Sequence, residues 1–470
     1  MSTAPKQPVM NAPFLKPEEQ VLSTLRGDGS RRWLRPRLST GGFLTRRRLV
    51  AYLLIVVFTA LPFVHVGGKP FVLLDIPARR FTLFFYTFLP TDTVLLALFL
   101  VGTLLGIFLI TALFGRVWCG WACPQTVYME FLFRPIERFF DGTIGRGGEP
   151  KSKRPGWIRS LKYPAYLLAC FYLANTFLAY FVGVETLWQW MHQSPFRHPI
   201  PFLVMGFVVV AMMLDFGYFR EQVCIIMCPY GRFQTVLLDQ SSLIVSYDSR
   251  RGEPRGKKRK QAESLPVIGD CVDCGNCVTT CPTGIDIRKG LQMECINCTQ
   301  CIDACNAVMH KLGRAPNLIR YSNQMMDRGE RSSLLRPRVF IYPTILLVFG
   351  GLFLAALVSK QGFNVRLLRE GGSPFSLVED GLRVRNLMQM KLVNRTDNPM
   401  SFTLAVDSPA SAELICREQE INVPANKTGV FHLEILAPRS EFRSGRLEFK
   451  LRIRSDAGNE HIETIELVGP

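Results

Sequence analysis

Histidine is scarce, at six in 470 residues. No long apolar run holds a pair of them, which argues against a haem carried between two histidines in a membrane. No basic stretch has interleaved aromatics, so the formal net charge of +18 does not point to nucleic acid. The first apolar run follows a 48-residue polar segment, and no small-residue cleavage site comes after it, which argues against a cleaved signal peptide. Residues 359–470 contain one cysteine, Cys416, and therefore no internal disulfide. A lone cysteine on a strand is a small core residue before it is a ligand.

What the chain does have is apolar residues gathered into runs. Five read as membrane spans: Leu49–Val66, Thr93–Phe114, Tyr163–Val184, Phe202–Phe219 and Val339–Val358. Each is near the ~20 residues that cross hydrocarbon at helical rise. They lack the polar face of a buried soluble helix. Phe81–Pro90 is apolar but too short to span, and reads as interfacial behind Arg79 and Arg80. Lys and Arg number 10 in residues 1–48, 9 in 115–162 and 18 in 220–338, against 3 in 67–92 and 1 in 185–201. The positive-inside rule then puts the N-terminus in the cytoplasm of a multi-pass bacterial inner-membrane protein. Residues 359–470 carry 15 basic and 15 acidic residues and fall in the periplasm. The excess charge is read as topology, with attraction to membrane lipid and no nucleic-acid partner.

The expected fold class is a multi-domain membrane protein with five transmembrane α-helices, a cytoplasmic two-cluster ferredoxin-like insert and a C-terminal immunoglobulin-like β-sandwich. Residues 1–48 form a tail. Residues 49–249 form a four-helix membrane domain, 250–338 the ferredoxin-like domain, 339–358 the fifth helix and 359–470 the sandwich. Strand-like alternation at Leu382–Leu392, Ser401–Val406, Thr428–Leu436, Arg446–Arg454 and His461–Leu467 carries the last assignment. Residues 141–160 and 250–260 are basic linkers. Within the membrane domain, Cys119-Gly120-Trp121-Ala122-Cys123-Pro124 recurs 105 residues later as Cys224-Ile225-Ile226-Met227-Cys228-Pro229, which implies an internal duplication. Each Pro suits the first position of a following helix.

Twelve of the 14 cysteines fall in four groups. Two are Cys271-x2-Cys274-x2-Cys277-x3-Cys281-Pro282 and Cys295-x2-Cys298-x2-Cys301-x3-Cys305, the spacing of two-cluster bacterial ferredoxins. Three thiolates on a tight loop cap three irons of a cubane, and the fourth of each run serves the other cluster. Cys271, Cys274, Cys277 and Cys305 are therefore assigned to one [4Fe–4S] cluster, and Cys295, Cys298, Cys301 and Cys281 to the second. Structural zinc also uses paired C-x2-C but has no need of this doubled pattern. With all ligand positions filled by cysteine, the default role is one-electron relay. Arg288, Lys289, Lys311 and Arg314 lie nearby, as a solvated basic face or as modest tuning of the clusters.

The other two groups are the Cys-x3-Cys pairs. Cysteines at i and i+4 share a helical face, and thiolates select Cu(I), zinc or iron–sulfur. If the two hairpins face each other, Cys119, Cys123, Cys224 and Cys228 form one four-thiol site for copper or dithiol redox chemistry. The bland alternative is four buried small residues. Asp215 is an intramembrane carboxylate and so a functional candidate. Met205, Met212 and Met213 read as packing before copper ligands. Met191, His192 and His198 flank Trp188 and Trp190, which read as an interfacial belt before a copper entry site. Cys170 reads as packing.

The segments beginning Trp118-Cys119-Gly120, Cys224-Ile225-Ile226-Met227-Cys228-Pro229-Tyr230-Gly231-Arg232, Cys271-Val272-Asp273-Cys274 and Cys295-Ile296-Asn297-Cys298 together resemble the CcoG family, also called FixG or RdxA. Its members are accessory proteins for assembly of cbb3-type cytochrome c oxidase. The resemblance runs from the first span to the C-terminal domain. It implies an oxidoreductase that reduces Cu(II) to Cu(I), with the Cys-x3-Cys-Pro thiols as copper or redox ligands and oxidase subunits or copper-delivery proteins as partners. The electron donor stays unnamed. Two other functions fit the residues alone: a quinone-linked relay to a respiratory partner, and a non-enzymatic assembly scaffold.

Overall fold

The computed structural model describes residues 23–24, 30–76, 78–84, 86–89, 92–142, 154–256, 269–330, 337–359, 362–396, 398–416, 418 and 420–470. Most of the expected tail, the middle of the 141–160 linker and the end of the 250–260 run lie outside the described residues. The chain forms two compact units, residues 1–86 with 100–348, and residues 87–99 with 349–470.

Among the described residues, four helices are long and apolar enough to cross a membrane: Thr93–Phe114, Gly156–Val182, Pro199–Phe219 and Val339–Val358. In their most apolar stretches only 6%, 44%, 6% and 0% of residues are covered by protein. Water would not leave that much apolar surface bare, whereas lipid does. The fifth expected span, Leu49–Val66, is helical over Gly42–Ala60 instead. The helix carries Arg46, Arg47 and Arg48 and is not among the four. It stops because Pro62 opens a 3-10 turn, Leu61–Phe63. His65–Val66 then folds back on Lys69–Pro70 across Gly67 and Gly68, whose φ values of 59° and 77° suit glycine. Part of the expected interfacial segment is strand, with Arg80–Leu83 antiparallel to Val72–Asp75.

The duplicated motifs close alike. Val117–Trp121 is one helical turn, and Pro124 opens the helix Pro124–Tyr128 with Cys123 at its N-cap. Val223–Met227 is a π-helical turn, and Pro229 opens Pro229–Leu237 with Cys228 at its N-cap. Proline at the first position loses nothing, because that N–H has no helical partner.

The ferredoxin-like insert is built on a two-stranded ribbon, Ile244–Tyr247 antiparallel to Ile319–Ser322, with short helices Asn276–Thr279 and Gln300–Lys311. Val245, Ile287, Ile302, Met309, Leu318 and Ile319 make its core. It packs into the same unit as the first helix. The Asp303 carboxylate accepts the Phe43 and Leu44 N–H groups at 3.3 and 2.8 Å, which supplies the cap that Gly41 cannot.

The second unit is a sandwich of two antiparallel sheets. In one, strands run in the order 413–416, 428–438, 383–394, 363–369, with 376–378 also on 383–394. In the other the order is 421–423, 400–408, 446–455, 460–468. Alternate residues point inward, and Met388, Met390, Leu392, Leu433, Ile435, Phe449, Leu451 and Ile453 are almost wholly buried. Cys416 packs half-buried against this core.

Candidate functional site

The two cysteine loops of the insert have one backbone shape. Asp273 and Gly275 take φ of 52° and 66°, and Asn297 and Thr299 take 53° and 61°. These left-handed residues flank Cys274 and Cys298, and they turn the chain sharply enough to aim successive thiols at one centre. Asn297 is pinned by its side chain, which accepts from Val245 N–H at 3.3 Å and donates to Leu243 O at 3.2 Å.

The thiols act on one another mainly in two groups. Burial raises the Cys305 pKa to about 11, and Cys274 and Cys271 add to it. Burial raises Cys277 to about 12, where Cys305 and Cys274 act on it. In the other set, burial raises Cys298 to about 12 and Cys295 to about 11, with Cys281 acting on both. Cys301 is raised well above its ordinary value, by burial and then by Cys298, Cys295, Cys281 and, across from the first group, Cys277. A cavity is lined by Cys277, Cys281, Cys295, Cys298 and Cys301. Such buried thiols keep their protons until a metal displaces them. Eight thiols on two like-shaped loops, five of them lining a cavity with Val245, Ile285, Ile287, Ile296, Thr283 and Thr299, suit cubane iron–sulfur clusters by donor chemistry. Among the described residues no three His, Cys, Asp or Glu side chains converge on one metal-ion position. In a cubane each thiolate ligates a different iron.

Beside this insert lie the duplicated pairs. Burial raises Cys224, and Cys123, Cys119 and Cys228 add to it, in that order. Burial raises Cys119 to about 11, opposed by the Gln234 side chain, whose amide nitrogen lies 3.2 Å from Sγ. Burial raises Cys123 against the N–H groups of Thr126 and Gln125 at its N-cap. The four thiols are thus electrostatic neighbours. They also adjoin the insert. A cavity is shared by Cys224, Thr126, Pro282, Thr283 and Ile296. A Cβ on Gly120 would strike the Ile296 carbonyl oxygen and lie 2.9 Å from that of Asn297. Trp121 donates to the Tyr321 hydroxyl at 3.0 Å, and that hydroxyl donates to Asn297 O at 3.2 Å. The turn ahead of Cys224 is held by buried ion pairs. Arg220 grips both Glu137 oxygens at 3.1 and 2.8 Å, and Arg134 reaches Glu130 at 3.1 Å and Glu221 at 3.6 Å.

Other expected candidates are tied up locally. Asp215 accepts from Gln125 at 2.7 Å. Cys170, Met212 and Met213 pack in the membrane-domain core with Phe133 and Phe216, and Met205 packs near Leu178. His192 bonds Trp188 O at 2.8 Å, and His198 lies 2.8 Å from the Gln193 side chain and stacks on Trp190. Met191 is exposed. Arg116, Arg47 and Gln234 are site residues that the sequence reading missed. The 105-residue repeat offers no signal for them, since it sets Glu221 opposite Arg116 and Met129 opposite Gln234.

Apolar spans joined to an insert with eight clustered thiols define a membrane iron–sulfur electron-transfer protein. Comparison with known proteins agrees. Residues 219–324 match the 4Fe-4S dicluster domain family, 96–146 a 4Fe-4S binding domain, and 353–470 the IG-like fold at the C-terminal of FixG. The chain is 33% identical to Protein RdxA of Cereibacter sphaeroides over 90% of its length and 92% of that protein. It is 30% identical to Nitrogen fixation protein FixG of Rhizobium meliloti over 92% of its length and 91% of that protein. To Protein RdxB of Cereibacter sphaeroides it is 32% identical, covering 78% and 80%. The chain belongs to the FixG/RdxA/CcoG family.

Proposed function

We propose that this protein reduces Cu(II) to Cu(I) at the Cys119, Cys123, Cys224 and Cys228 thiols, in support of cbb3-type cytochrome c oxidase assembly. The supporting observation is adjacency: Cys224 shares a cavity wall with Pro282 and Ile296, which neighbour Cys281 and Cys295, and Gly120, next to Cys119, abuts the Ile296 and Asn297 carbonyls. Cys271, Cys274, Cys277 and Cys305 would hold one [4Fe–4S] cluster, and Cys281, Cys295, Cys298 and Cys301 the other. When bound, these groups supply one-electron transfer. Cys274 is exposed and offers an entry side for a reduced one-electron donor in the cytoplasm. The substrate Cu(II) gains one electron per donor molecule oxidised once. Thiolates favour the Cu(I) product over the Cu(II) substrate, so their contribution lies in product stabilisation. Gln234 orients the Cys119 thiol. The Thr126 and Gln125 N–H groups oppose the burial that raises Cys123.

The test is reoxidation of the dithionite-reduced, anaerobically purified chain. Cu(II) should reoxidise it faster than a non-metal acceptor does. Cys224→Ser, at unchanged iron and sulfide content, should slow the copper reaction about tenfold or more and leave the other alone. Equal rates with both acceptors, or an unaffected Cys224→Ser protein, would sink the copper assignment.

A further inference from the structure

We propose that Arg47 and Arg116 make the Cys281/Cys295/Cys298/Cys301 position the preferred resting place of the transferred electron, by supplying buried positive charge from the membrane domain. This rests on the two-cluster assignment above. Arg47 is 1% exposed and Arg116 is 6% exposed. Arg47 Nε donates to Gly120 O at 2.9 Å, and its Nη2 has no hydrogen-bond partner among the described residues. The Cys298 thiol lies in its field. The Arg116 guanidinium donates to Met293 O, to Cys295 O at 3.2 Å and to Gly231 O at 3.3 Å. The charged groups acting on it most are Cys295 and Cys119, followed by Glu294.

Among the described residues neither arginine has a carboxylate at ion-pair distance. Burying an uncompensated cation is costly, so something anionic must balance it. A cubane with four thiolates is anionic, and it gains one further negative charge on reduction. A buried cation beside it therefore stabilises the reduced form more than the oxidised form and raises the reduction potential. Among the described residues, the arginines acting on Cys277 and Cys305 of the other set are each paired with carboxylates. Arg288 beside Cys277 is engaged by Asp273 and by Asp286 at 2.7 Å. Arg251 beside Cys305 is engaged by Asp270 at 2.6 Å. An electron entering on the exposed Cys274 side thus moves downhill toward the set that adjoins the Cys119 and Cys224 thiols.

Redox-poised EPR titration of the full chain, purified anaerobically in detergent, tests this. The wild type should show two midpoints, and Cys298→Ser identifies the signal of the second set by removing it. Arg116→Gln and Arg47→Gln should each lower that midpoint by about 59 mV, a tenfold shift in a one-electron equilibrium, and leave the other unmoved. Arg116→Lys should retain the wild-type value. Glu294→Gln should raise the same midpoint, and it decides the matter if Arg116→Gln fails to hold iron. Unmoved midpoints in these variants, or equal shifts of both signals, overturn the proposal while the two-cluster assignment stands. Two sets of thiols that yield only one signal, or none, overturn the assignment itself.

Discussion

Gly120 leaves no room for a side chain. Its neighbours are backbone atoms, the carbonyls of Ile296 and Asn297, which cannot swing aside as a flexible chain end would. Gly120→Ala should therefore push the 295–298 loop off the Cys119 turn, at a cost of about 1–3 kcal/mol typical of overpacking. Iron and sulfide assays should fall toward half of wild type as the second set loses its metal, while the set containing Cys271 and Cys274 keeps its own. Unchanged metal content and melting temperature would mean that this contact does not hold the insert in place. At this scale the sequence was legible where chemistry forces a spacing. The two ferredoxin runs pointed to iron–sulfur because a tight loop can cap a cubane in few ways, and residues 219–324 match a 4Fe-4S dicluster domain. Arg47, Arg116, Gln234 and Asp303 left no such trace. Their partners lie far along the chain, as Asp303 does from Leu44, and no short pattern encodes a contact of that range.

Elements were legible in proportion to how much of their periodicity is their own. The strand Arg383–Asn394 alternates half-buried and buried positions along most of its length, and its alternation is plain in the sequence. Glu413–Cys416 and Ile421–Val423 are too short to show a period and exist because longer neighbours pair with them. The first helix starts earlier than its apolar run because hydropathy does not register a cap supplied by Asp303, and it ends earlier because Pro62 outweighs the apolar residues that follow. Polar side chains join the two sheets of the sandwich, among them Asn394, which donates to Val423 O at 3.0 Å. Asn386, fully buried, accepts from Val468 N–H and donates to Val468 O, both at 3.1 Å. Asn386→Ala strands both backbone groups, so the sandwich should lose about 1–3 kcal/mol. Limited proteolysis of the full chain should then cut first near the C-terminal strand, while a surface change such as Glu448→Gln leaves the digestion pattern alone. If Asn386→Ala is as resistant as wild type, water or a shifted strand end satisfies those groups and the pin is dispensable.

For the whole molecule the number of crossings is testable, and charge favours five over four. Among the described residues, four helices meet the length and hydropathy of a span. If only those cross, residues 1–48 and 220–338, with 10 and 18 basic residues, fall on opposite sides of the membrane. If Gly42–Ala60 crosses as well, both of them and residues 115–162 face the cytoplasm, and the opposing loops hold only 4 basic residues. Its arginines sit near one end, where long side chains reach the headgroups. The ferredoxin thiols argue the same way, since a reducing compartment keeps them free for iron. Alkaline phosphatase folds only where its disulfides form, so fusions read the side directly. Fusions after Gly67, Ser194 and Pro470 should be active, and those after Gly142 and Arg255 inactive. An active fusion after Arg255 together with an inactive one after Gly67 would show that the first helix stays on the surface. The iron–sulfur insert would then face the oxidising side, where the proposed cytoplasmic donor could not reach it.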